Sequence, residues 1–214
     1  MSYLPKYSKS DFKQLSWAEY GKELEGLYTK INSYTNRHKI KIDAVVPILR
    51  GGSVAGAYLG YRFNLLRTIP VQYHYLFGKG KMELRKIMSA NGKGLPRKPT
   101  LLLVEGNHCF GLTGEIAAKD LKHQFPGCTI LYAADHMDYS YQKNDYADAI
   151  FYGKLTNEVK KLTPAQCKKL GIPPVCYVFP WESLDEEWTT VQGKQFKYKD
   201  LDMLKKAKRS AKIS

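Results

Sequence analysis

The segment Ile42-Asp-Ala-Val-Val-Pro-Ile-Leu-Arg-Gly-Gly-Ser-Val-Ala-Gly-Ala-Tyr-Leu59 constrains the fold of this chain more than any other. An apolar, β-branched run stops at Arg50-Gly51-Gly52 and resumes as a stretch of small residues at helical spacing, so a strand, a tight turn and a helix follow one another directly. Glycines let the backbone aim N–H groups at a ligand, the helix start adds partial positive charge, and Arg50 adds a planar cation. Such a turn suits a phosphate. It also suits a plain strand-to-helix connection, and this motif alone does not separate the two.

The rest of the chain repeats the alternation. Ser16-Trp17-Ala18-Glu19 is a capping box ahead of Trp17, Tyr20, Leu24, Leu27 and Ile31, which recur as one helical face. The pattern predicts strands at 41–49, 69–76, 100–104, 129–134 and 175–179. It predicts helices at 54–63 and 113–123, and a short one within 155–170. Residues 77–99 mix glycine and proline with Lys79, Lys81, Arg85, Lys86, Lys93, Arg97 and Lys98, which reads as a mobile basic loop. Strands alternating with helices imply an α/β fold with a mostly parallel twisted sheet flanked by helices, plus a small C-terminal subregion. The length of 214 residues suits a single domain over 1–190 with a basic tail at 191–214.

Charge narrows the partners. A formal charge of +14 favours anionic ligands, from phosphorylated small molecules to nucleic acid, although the tail lysines also read as a solvated end. Cys109, Cys128, Cys167 and Cys176 have no metal-ligand spacing, so free thiols are expected, with no structural metal. No run is long enough to cross a bilayer and Met1-Ser-Tyr-Leu-Pro-Lys6 carries no apolar secretion segment, so a cytoplasmic protein without a membrane partner is expected.

Leu101-Leu-Leu-Val-Glu-Gly-Asn-His-Cys-Phe-Gly-Leu-Thr-Gly114 places a second glycine turn between an apolar strand and a helix. Two such turns on one sheet would suit a ligand with two separate phosphate groups. With Leu49-Arg50-Gly51-Gly52, Glu83-Leu84-Arg85-Lys86, Asn91-Gly92-Lys93-Gly94 and Tyr177-Val178-Phe179-Pro180-Trp181-Glu182, the chain resembles the type I phosphoribosyltransferases, nearest the xanthine-guanine and hypoxanthine branch.

That resemblance implies transfer of phosphoribose from phosphoribosyl pyrophosphate to a purine-like nitrogenous base with Mg²⁺, in a homo-oligomer. By the same resemblance Arg50, Gly51, Gly52, Lys81 and Arg85 would hold pyrophosphate, and Gly111, Leu112, Thr113 and Gly114 the ribose 5-phosphate. Glu105 would hold ribose or metal, Tyr177 and Trp181 would line the base, and Arg50, Glu105 and Cys109 would form the catalytic set. The chain departs from the family pattern at Gly106, Cys109 and Phe110, where two acids and a threonine are usual, and at Ala134 and Cys176 in the base region. These departures open the alternative of a catalytically impaired protein on the same scaffold that binds a nucleotide or nucleic acid.

Overall fold

The computed structural model describes residues 7–78, 81–89, 91–143 and 145–189, with side chains described at all of these except 75–78 and 81–83. The basic tail at 191–214 and the loop residue Lys79 lie outside them, as does the side chain of Lys81. In chain order the elements are β1 (Phe12–Gln14), α1 (Trp17–His38), β2 (Ala44–Leu49), α2 (Ser53–Arg62), β3 (Val71–Gly78) and β4 (Lys81–Met88). They continue with β5 (Thr100–His108), α3 (Leu112–Gln124), β6 (Thr129–Asp138), β7 (Ala149–Thr156), α4 (Pro164–Leu170) and β8 (Cys176–Val178). Among the described residues no helix is long and apolar enough to cross a membrane.

Six strands form one sheet in the order β4-β3-β2-β5-β6-β7, parallel throughout except for the antiparallel β4 edge. Leu102, Val104, Leu131 and Ala133 face one side, where Leu24, Leu27 and Ile31 of α1 and Ala55 and Leu59 of α2 cover them. Leu101, Leu103, Ile130 and Tyr132 face the other side, covered by Ala117, Ala118 and Leu121 of α3. The strands are buried on both faces, which is why they read as unbroken apolar runs rather than as alternating ones. The predicted capping box is present: Ser16 Oγ accepts from the Glu19 backbone N–H, and the Ser16 N–H donates to Glu19 Oε2 at 2.9 Å.

Chain order reverses between β2 and β5, so the crevice beyond their carboxyl ends is the switch point at which open α/β sheets bind ligands. The β3–β4 hairpin flanks it. Val71 is level with Ile48 and Gln72 with Leu49, so β3 runs six residues past the end of β2, roughly 20 Å at strand rise. The predicted mobile loop is therefore in large part a strand: Arg85 pairs with His74, Leu84 with Tyr75 and Met82 with Phe77. Alternation of Met82, Leu84 and Met88 with charged residues was the signal for it, masked by the surrounding glycines and lysines. Asp120 of α3 fastens the arm's base, accepting from Tyr73 O–H at 2.8 Å and pairing with Lys86 at 2.8 Å.

Other boundaries also moved. β5 and β6 each continue four residues beyond their predicted ends, to His108 and Asp138, because β5 pairs with β6 as far as His108 and Met137 and β6 pairs with β7 as far as Asp138 and Thr156. β7 occupies a stretch read as polar loop and helix start. β8 pairs not with the main sheet but with β1, in a separate two-stranded parallel sheet. Replacing Asp120 with Ala is expected to loosen the hairpin without unfolding the domain, speeding exchange of the β4 amides roughly tenfold in hydrogen-exchange measurements while the β5 and β6 amides keep their protection.

Candidate functional site

The site is built on three glycines that bring two connections into backbone contact. A Cβ on Gly52 would lie 2.2 Å from Val104 O, and one on Gly106 would lie 2.7 Å from Gly51 O. The Arg50-Gly51-Gly52 turn thus packs directly against the β5 end, as only residues without side chains allow. Gly106, where the family resemblance would place a carboxylate, has no space for one. A Cβ on Gly51 would meet nothing nearer than 3.6 Å, so that position faces the crevice more openly. Arg50 is exposed at the lip. Burial pushes the Glu182 carboxyl up from its ordinary range and the nearby Arg50 opposes that shift, which places the Phe179-Pro180-Trp181-Glu182 segment beside the turn.

The second turn is narrower than its sequence suggests. Gly111 caps α3 with φ 72°, and a Cβ there would fall 2.5 Å from His108 Cε1, so the imidazole lies directly beneath the turn. Leu112, Thr113 and Gly114 open α3, and the Glu115 N–H is already spent on Gly111 O at 3.0 Å. The Phe110 ring meets Tyr141 edge-on at 5.5 Å. Both line a hollow of about 310 Å³ with His108, Gly111, Glu115 and Tyr146.

Glu105 is held from below. Tyr132 Oη is hydrogen-bonded to Glu105 Oε2 and also lies 2.8 Å from His108 Nδ1, while His108 Nε2 lies 3.1 Å from Tyr141 O. Tyr141 O can only accept, so Nε2 carries a proton. Tyr132 has one proton for two bonds: while it donates to Glu105, the imidazole must supply the other, and while it donates to His108, the carboxyl must. Burial pushes Glu105 up to about 7 and His108 down to about 4, so the carboxyl is the group that keeps the extra proton near neutrality. A carboxyl so engaged does not fit a magnesium ligand, and among the described residues no cluster of three or more His, Cys, Asp or Glu is arranged to hold a metal ion.

Cys109 lies half-buried beside Glu158 and Asp138, and burial in this acidic setting drives its thiol well above its ordinary range. A neutral thiol is neither a base nor a strong nucleophile at pH 7. The acid beside it, Glu158, is 6% exposed, is pushed up to about 7 by burial, and accepts from Asn107 Nδ2 at 2.8 Å. Sequence reasoning missed Glu158 and Asn107, because they converge from β5 and from the connection between β7 and α4.

Where the resemblance would put the base, Trp181 stacks on Phe179 at 4.8 Å and Phe179 stacks on His136 at 4.8 Å, with Tyr20 edge-on to both Phe179 and Trp181. Tyr177 is buried, its ring 5.1 Å from His136 and 4.2 Å from Lys154 Nζ. Both expected base residues therefore join one aromatic column, with Trp181 half-buried at its outer end. Arg85 lies exposed on the β4 arm. Beneath the column, Tyr20 O–H donates to Asp135 Oδ2 at 2.5 Å, Asp135 Oδ1 has no hydrogen-bond partner among the described residues, and burial pushes this carboxyl up to about 8. An acid directly after the apolar run at 130–134 was the available sequence signal for it.

The sequence matches no protein-family profile and no curated relative. Among solved structures the chain is similar to a purine phosphoribosyltransferase from Pyrococcus horikoshii Ot3, with TM-score 0.59 and 17% identity over 81% of this chain and 95% of that one. It is also similar to a hypothetical protein from Neisseria gonorrhoeae with bound ppGpp, with TM-score 0.62 and 17% identity over 87% and 97%. A third is the xanthine-guanine-hypoxanthine phosphoribosyltransferase of Helicobacter pylori, with TM-score 0.56 and 16% identity over 84% and 99%. At these identities the likeness is one of architecture: this chain has the α/β fold of the type I phosphoribosyltransferases.

Two outcomes follow from the geometry. Gly52→Ala and Gly106→Ala are each expected to cost roughly 2–4 kcal/mol in urea denaturation, since backbone atoms would have to move, whereas Gly51→Ala costs less than about 1 kcal/mol. Asp135 holds its proton in the folded state far more tightly than at the ordinary value of 3.8, so its contribution is fully present below about pH 4 and is lost as pH rises through about 8. Asp135→Asn is expected to remove roughly 3–5 kcal/mol of that pH dependence, measured as urea midpoints from pH 5 to pH 9.

Proposed function

We propose that this chain is a phosphoribosyltransferase-like protein that binds phosphoribosyl pyrophosphate in the crevice between β2 and β5 and transfers phosphoribose to a purine-like nitrogenous base. One observation carries the reading: the Arg50-Gly51-Gly52 turn meets the end of β5 backbone to backbone at the sheet's switch point, while the same strand leads into the start of α3. A ligand with phosphates at both ends of a ribose fits that layout. Pyrophosphate lies against Arg50, Gly51 and Gly52, and the 5-phosphate lies at Gly111, Leu112, Thr113 and Gly114.

In the transfer, the bond between the ribose anomeric carbon and the pyrophosphate oxygen breaks as a base nitrogen bonds to that carbon, and the proton that nitrogen sheds passes to the departing pyrophosphate. Charge grows on the departing oxygen, and Arg50 with the fixed N–H groups of the turn stabilises it more strongly than in the ground state. Arg85 on the hairpin adds positive charge from the flank, and Trp181 offers the base a ring at the outer end of the aromatic column. Magnesium, where it takes part, comes with the phosphates, since Glu105 is committed to Tyr132. A cytoplasmic location and a soluble purine-type substrate belong to the same reading.

A second reading has its own warrant. Gly106 has no room for a side chain, Glu105 is bonded by Tyr132 and Cys109 is kept as a thiol, so the β5–α3 connection offers no free carboxylate, and the similar Neisseria gonorrhoeae protein holds ppGpp. A purine nucleotide would then be bound without transfer. Calorimetric titration with phosphoribosyl pyrophosphate, paired with a pyrophosphate-release assay across nucleobases, separates the two. The first reading expects binding and base-dependent release, with Arg50→Ala weakening binding roughly ten- to a hundredfold. Binding without release favours the second reading, and folded protein that binds neither this compound nor a purine nucleotide overturns both.

A further inference from the structure

Three consecutive residues at the β5 end offer a ligand very different things. Glu105 is taken up by Tyr132, and Gly106 has neither a side chain nor space for one. Asn107 is exposed, yet its amide is held in one orientation: Nδ2 donates to Glu158 Oε2 at 2.8 Å. Glu158 is itself fixed, at 6% exposure, with its backbone carbonyl accepting from Tyr7 O–H and its carboxyl beside the Cys109 thiol. With Nδ2 turned onto Glu158 Oε2, the amide oxygen Oδ1 is the end of this exposed side chain that remains as a neutral acceptor.

We propose that Asn107 Oδ1 accepts a hydrogen bond from a ribose hydroxyl at the crevice lip, with Glu158 as the residue that positions it. This rests on the reading of the crevice as a ribose-phosphate site and adds the residue that tells ribose from a deoxyribose. The chemistry differs from that of a carboxylate at the same lip. An amide oxygen accepts from a hydroxyl without adding negative charge, so it can sit close to a phosphorylated ligand at no cost in repulsion and without a metal ion to offset it. It also explains how a strand end whose middle residue must be glycine can still read a hydroxyl: the acceptor is carried one residue further on, where a side chain fits.

The test compares the affinities of ribose 5-phosphate, 2-deoxyribose 5-phosphate and 3-deoxyribose 5-phosphate, by calorimetry, for the wild-type chain and for Asn107→Ala, Glu158→Gln and Glu158→Leu, each checked for folding by circular dichroism. The wild type is expected to prefer ribose 5-phosphate over at least one deoxy compound by roughly five- to tenfold, and Asn107→Ala to abolish that preference. Glu158→Gln keeps it, because the glutamine oxygen still accepts from Nδ2, and Glu158→Leu loses it. Should Glu158→Leu fail to fold, the contrast between Asn107→Ala and Glu158→Gln decides alone. A preference unchanged in Asn107→Ala, or a wild type that binds all three compounds equally, overturns the role of Asn107 while leaving the ribose-phosphate reading in place. A folded wild type that binds none of them overturns both.

Discussion

The contact on which this molecule is arranged is the one between the turn after β2 and the end of β5. Gly52 presses on the Val104 carbonyl and Gly106 on the Gly51 carbonyl at distances that leave no space for a methyl group. Interiors are packed densely enough that one added carbon there must move backbone. From that approach follow the narrowness of the crevice, the placing of Arg50 at its lip and the loss of any side chain at position 106. The departure from the acidic pattern at Gly106 is thus a packing requirement of this chain as well as a chemical change.

The acids of the site tell a consistent story. Glu105, Asp135 and Glu158 all sit where burial raises them toward or past neutrality, and each is hydrogen-bonded to a neutral group, Tyr132, Tyr20 or Asn107, rather than to a cation. Buried carboxyls without a cationic partner keep their protons more readily. The carboxyl ends of β5 and β6 consequently carry less negative charge near pH 7 than their composition suggests. That suits a phosphate-bearing ligand and suits a metal ion poorly, which agrees with the chain's overall positive charge.

Much of this was legible in the sequence. The capping box at Ser16, the strand-turn-helix unit at 42–59 and the alternation of later strands and helices gave the architecture, because each depends on neighbours within one turn or one pleat. The hairpin strand β4 was hidden by the glycines and lysines around it, and the edge strand β7 because its partner β6 lies outside the local window and its face is only partly apolar. The extension of β5 through Gly106 to His108 was hidden for the same reason: pairing with β6 overrides the local tendency of a glycine to end a strand.

The sequence by itself determined the class of fold and the two glycine turns, because hydrophobic period and glycine placement act through local backbone geometry. Only the tertiary structure decided what those turns can hold. It set His108 beneath Gly111, turned Glu105 onto Tyr132, gathered Tyr177 and Trp181 into an aromatic column, and brought Glu158 across to Asn107. Each of those contacts joins residues from different elements, and the protonation and orientation of a buried polar group depend on which groups surround it in space, which no local pattern along the chain specifies.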